Sequence, residues 1–198
     1  MKGLICVLSI LIIILNYSCS HKKGTFIDDR DNHVYKWVRI GDQIWMAENL
    51  SYNAGYVSKV YDNNSSNEAI YGRLYNWETA QTVCPSGWHL PSDIEWTQLT
   101  DFLGGDDIAG GKLKETGTIH WNIPNTDATN ETGFSALPGG ARRNNLFFLG
   151  LHGYGHWWSS TEYDTDNSWF RRMSYNNKRV LRGSDFKESG YSVRCVRD

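Results

Sequence analysis

Few residues in this chain are arranged for chemistry. It holds four Cys and six His among 198 residues. Cys6 sits inside the apolar run Leu4 to Leu15, and Cys19 follows that run by a few residues. A Cys so placed, behind Leu15-Asn16-Tyr17-Ser18, has the position of a lipid-modified Cys at the cleavage point of an exported protein. Asn16 and Tyr17 depart from the usual apolar and small residues of that motif, and ordinary cleavage with an incidental Cys is the alternative. Cys84 and Cys195 remain. In an oxidising compartment two leftover Cys pair by default; the alternative is two buried free thiols. Neither belongs to a C-x-x-C pair, which argues against a metal.

The remaining candidates are weaker. His152 and His156 are four apart, as in a zinc pair, but HGYGH is glycine-rich and lacks the Glu of H-E-x-x-H. It reads as a surface loop. Asp164-Thr165-Asp166-Asn167-Ser168-Trp169 begins like a calcium loop but carries Trp where the turn needs Gly. Asp164 and Asp166 are kept as structural calcium candidates, with Asp28, Asp29 and Asp31 as a second place. No G-x-S-x-G elbow and no phosphate loop occurs; Ser159-Ser160 reads as strand packing. Aromatic rings stack on sugars, and Arg and Asn serve hydroxyls. The candidate ligand-binding residues are therefore Arg142, Arg143, Asn144, Trp169, Arg171, Arg172, Tyr175 and Asn176, with Asn145 and Asn177 beside them. Trp77, Trp88, Trp96, Trp157 and Trp158 are expected in the core.

The chain that must position them is 40% hydrophobic, 21% charged and 14% aromatic, with 19 Gly. So many aromatics exclude intrinsic disorder. No Gly-X-Y period accompanies the glycine, which excludes collagen. A net charge of −2 disfavours a nucleic-acid binder. The twelve-residue run Leu4 to Leu15 is short for a membrane span and suits the core of a secretory signal. The organisation is thus a signal over 1–18, a lipid-bearing polar tether over 19–26 and one domain over 27–198.

Within that domain, Val34 to Ile40 and Gln43 to Ala47 flank Gly41-Asp42 and predict a β-hairpin. Residues 51–70 read as an exposed loop. A helix is expected over 74–83, stopped by Pro85. Ser92 and Glu95 form a capping box for a second, which Gly104-Gly105 ends. Beyond 105 the chain reads as loop, with late strands over 157–162, 169–175, 178–182 and 191–197 and a turn at Asn176-Asn177. The class is α+β: two helices packed on short, mostly antiparallel strands with long irregular loops.

Five ordered blocks then carry a resemblance: YGRLYNWETAQTVCPSGWHLPSDIEW (71–96), GGKLKETGTIHWN (110–122), GFSALPGGAR (133–142), WWSSTEY (157–163) and YSVRCVRD (191–198). They resemble the Fibrobacter succinogenes major paralogous domain, a family of secreted bacterial proteins and lipoproteins. The resemblance implies a C-type lectin-like fold, distantly similar to the formylglycine-generating enzymes. It also implies chain ends meeting in one sheet, which a Cys84–Cys195 bridge fits. The late reactive Cys pair of those enzymes is absent, so no enzyme is expected. The Glu-Pro-Asn, Gln-Pro-Asp and Trp-Asn-Asp motifs of calcium-dependent sugar binding are absent too; no cofactor is expected beyond a structural calcium. What remains is a lipoprotein of the cell envelope, anchored in the outer membrane. Its domain binds a glycan or an envelope partner, or serves as a structural or adhesive component without a small-ligand site.

Overall fold

The computed structural model describes residues 22–144 and 147–198. The expected signal, Cys19 and Asn145 lie outside the described residues. Among those described, no helix is long and apolar enough to cross a membrane.

The chain opens with β1 (Lys23–Ile27), β2 (Val34–Ile40) and β3 (Gln43–Met46), paired antiparallel in that order. The predicted hairpin forms, with Ile40 facing Gln43 and Gly41 at a φ of 58°. Residues 23–26, expected in the tether, belong instead to β1. Two contacts hold them: Phe26 stacks on Trp88 at 4.5 Å, and Gly24 leaves room for the Trp37 indole.

Then come β4 (Ser58–Lys59), α1 (Glu68–Tyr71), β5 (Leu74–Tyr75), α2 (Trp77–Ala80), β6 (Trp88–His89), α3 (Asp93–Phe102) and α4 (Asp106–Leu113). The helix expected over 74–83 is one turn only. Leu74 and Tyr75 pair with β4, and Asn76 caps the turn by accepting from Thr79 N at 3.1 Å. The Ser92–Glu95 capping box of α3 forms in both directions. The sequence does not predict helix α4, because Gly110 and Gly111 read as loop. They are glycine for another reason: a Cβ would lie 2.5 Å from the Arg179 carbonyl at one and 2.6 Å from the Asp127 carbonyl at the other. The described fold therefore has four α-helices, two more than the sequence predicts.

The last third supplies β7 (Gly139–Arg142), β8 (Phe148–Leu151), β9 (Tyr154–Glu162), β10 (Asn167–Ser174), β11 (Leu181–Phe186) and β12 (Val196–Arg197). Arg172 faces Leu181, so Asn176-Asn177 lies in a longer connection and not in a two-residue turn. Two five-stranded sheets result, ordered β1-β2-β3-β12-β6 and β11-β10-β9-β7-β8, with β4-β5 as a separate ribbon. Pairing is antiparallel except between β7 and β9. The first and last described strands share the first sheet. The Cys84–Cys195 disulfide is formed, with Cα atoms 6.0 Å apart. Trp45, Trp96, Trp157 and Phe134 fill one core cluster; Tyr35, Tyr75, Trp158 and Tyr191 fill a second around the disulfide.

Candidate functional site

Strand alternation separates the expected ligand-binding residues, because successive side chains on β10 point to opposite faces. Arg171 points towards α3 and is buried. Its Nη1 lies 2.6 Å from Asp93 Oδ1, and its Nη2 donates to the Asp93 carbonyl and to Thr97 Oγ1, both at 3.2 Å. Arg182 joins the same carboxylate at 2.9 Å and lays its guanidinium 3.4 Å over the Trp169 ring. Burial works against the Asp93 charge, but the bonds from Arg182 and Arg171 outweigh it and hold the carboxyl below its ordinary range. Arg171 is thus an internal tie, which corrects its reading as a ligand contact.

Arg172 takes the opposite face of the sheet, 5.4 Å over Tyr154. Arg143 reaches Asp185 at 3.1 Å. Arg142 packs beside Gly190, and Asn144 is exposed. Tyr175 lies elsewhere, in an open depression with Trp121 and Ile123, and Asn176 accepts from Ser174 Oγ at 3.0 Å. The eight residues therefore do not share one surface.

The other candidates also part. His156 is buried and stacks on Tyr191 at 4.9 Å, whereas exposed His152 bonds the His120 carbonyl through Nδ1 at 2.8 Å. They do not converge as a zinc pair. Asp164 accepts from Asp166 N and Asn167 N at 2.9 and 2.8 Å, capping its own turn, and Asp28 pairs with Arg30 at 2.6 Å. Among the described residues, no group of three or more His, Cys, Asp or Glu is placed to hold a metal ion.

A broad concavity with a volume of about 1150 Å³ lies at the first sheet. Lys23, Lys36 and Val38 form one wall; Glu115, His120 and Asn130 form the other. Glu48 and Ile70 also border a second hollow of about 510 Å³ that ends at Asp31 and Arg73, so the two run together. His120 Nδ1 is 2.8 Å from Glu115 Oε2, which fixes the ring. Asn130 and Ser135 bond each other twice, at 2.9 Å each way. Among the described residues, none is bonded to the outer ring nitrogen of His120 or to the ammonium groups of Lys23 and Lys36, which face solvent or a ligand. Donors and acceptors of both charges thus line one cleft, an arrangement suited to hydroxyl-rich ligands.

Buried polar side chains hold these walls. Lys114 Nζ donates to the carbonyls of Thr126, Ser174 and Asn177 at 2.9–3.0 Å, tying the 114–130 segment to the end of β10. Burial pushes its ammonium down to about 8. Arg194 reaches Phe134 and Ser135 carbonyls from beneath the cleft. None of Lys36, Glu115, His120 or Asn130 was singled out from the sequence. Glu115 and His120 are five apart in an irregular segment, and no local pattern announces that they meet.

Comparison with known proteins agrees with the five blocks. The family model described as the Fibrobacter succinogenes major domain matches residues 38–197. No curated protein and no solved structure matches the chain. The matched span runs from the middle of β2 through β12 and takes in the second five-stranded sheet, the disulfide and the 115–135 wall of the cleft, while β1, Lys23 and Lys36 precede it; this chain belongs to the Fibrobacter succinogenes major domain family.

Proposed function

We propose that this chain is an exported lipoprotein, anchored through Cys19 to the outer membrane, whose domain is a non-enzymatic binding module of C-type lectin-like type. Its ligand is a glycan segment held in the cleft between β1–β2 and residues 115–135. The observation that carries this reading is the cleft of about 1150 Å³ whose Lys36, Glu115–His120 and Asn130 present mixed hydrogen-bonding groups. No resident cofactor is assigned; a structural calcium would lie outside the cleft, at Asp164 and Asp166.

The test is a glycan array probed with the full chain in detergent, with and without calcium. Saturable binding that is lost in His120→Ala and Lys36→Ala, with unchanged unfolding profiles, supports the reading. A blank array from folded protein sinks it and turns attention to protein partners in the envelope.

A further inference from the structure

A second polar surface lies on the side of the second sheet away from α3. Arg172 faces His156 on β9 and Leu181 on β11, so these three side chains form a row across the strands. Its guanidinium is held 5.4 Å over the Tyr154 ring, a cation–π placement that orients the fork without neutralising it. Among the described residues, no carboxylate pairs with Arg172. Arg143 approaches the same place and is half exposed. Its partner Asp185 is shared, since the Tyr191 hydroxyl donates to the same carboxylate oxygen. Asp185 therefore answers one guanidinium, and the face keeps one positive charge.

His156 adds none. Burial first, then the nearby Arg172 and Arg143 charges, push it down to about 3, and its Nδ1 is buried without a partner. Leu181 beside Arg172 is 42% exposed and offers apolar contact. A forked cation next to a small apolar patch matches a sugar ring bearing an acid: planar oxygens for the guanidinium, C–H groups for the leucine. One unpaired charge is too few for an anionic membrane surface, which takes clusters of four or more basic residues.

We propose that this face is a second binding site, for the acidic group of a charged sugar, with Arg172 as its principal contact, Arg143 at its edge and Leu181 under the ring. The proposal rests on the glycan reading and adds the ligand's charge class to it.

The test compares three probes on the full chain by calorimetry: an oligogalacturonate, its methyl ester, and a sulfated galactan oligosaccharide. Binding of either acidic probe that falls about tenfold or more in Arg172→Ala, as expected for a lost charge-assisted bond, and weakens with added salt, supports the site. Which acidic probe binds more tightly separates carboxylate from sulfate. Acidic-probe binding that survives Arg172→Ala, or that His120→Ala abolishes instead, overturns this site and leaves the cleft reading standing. Neutral oligosaccharides binding as tightly as acidic ones at this face also overturn it. If no oligosaccharide of any charge binds folded protein, the glycan reading falls and this site with it.

Discussion

The guanidinium of Arg194 is wholly buried, and its Nη2 donates to Asn49 Oδ1 at 2.9 Å. Trp157 Nε1 donates to the same oxygen at 2.9 Å, while Asn49 Nδ2 donates to the Tyr71 carbonyl at 3.0 Å. Among the described residues, no carboxylate is bonded to the guanidinium, which also lies 4.3 Å over the Phe134 ring. Burial lowers its pKa to about 9. One amide thus joins the segment after β3, the segment leading to β12, β9 and the wall of the cleft.

Asn49→Ala strands three buried donors or acceptors at once. Each unsatisfied group costs about 1–3 kcal/mol, so a loss of at least about 3 kcal/mol is expected in urea unfolding. A loss below about 1 kcal/mol, the scale of an ordinary substitution, would show that the hub can rearrange.

Arg171→Ala is expected to reduce stability and leave ligand binding in the surviving folded fraction unchanged. Removing one partner of a buried ion pair costs about 3–5 kcal/mol, with the lower end expected because Arg182 stays on Asp93. The folded Asp93 pKa lies below its ordinary 3.8. Its contribution is therefore present above that value and lost as pH falls through the lowered one. The variant should show a weaker acid limb in unfolding midpoints against pH. Selective loss of binding at full stability would restore Arg171 as a ligand contact.

His89 stands between two carboxylates, with Nδ1 2.5 Å from Asp198 Oδ1 and Nε2 2.8 Å from Glu95 Oε1. Burial disfavours its charge, but the bonds to Asp198 and Glu95 outweigh burial and raise the pKa above its ordinary 6.5. The stabilisation is complete below 6.5 and is lost as pH rises through the raised value. Urea midpoints measured from about pH 5 to 9, spanning the histidine range, should fall across that window. The fall should vanish in His89→Gln; an identical slope in the variant would assign it to another group.

The Cys84–Cys195 disulfide spans a sequence separation of 111 and ties the segment between α2 and β6 to the residue before β12. Closing so long a loop stabilises by about 4–5 kcal/mol in the chain-entropy model. The Cys84→Ala/Cys195→Ala pair should unfold at much lower urea, and a reductant should move the parent protein but leave the variant unmoved. Equal midpoints with and without reductant would mean that the bridge adds nothing.

Local signals in the sequence determined the local structure. Gly41-Asp42 made its hairpin, and Ser92 and Glu95 made their capping box, because each is decided by a few adjacent residues. The Cys count pointed to the bridge that the structure forms, since only Cys84 and Cys195 remain beyond the N-terminal segment. Glycine misled where its cause was remote: Gly110 and Gly111 sit in a helix because carbonyls from 127 and 179 press against it. Only the tertiary structure decided which side chains share a surface. Arg171 and Arg172 are neighbours in sequence, yet one is sealed against Asp93 and the other faces solvent over Tyr154, because a strand turns successive residues to opposite sides. The cleft is likewise a meeting of segments nearly 100 residues apart, β1–β2 and 115–135. Long-range packing around Asn49 and Arg194 brings them together, and no spacing along the chain encodes such a meeting.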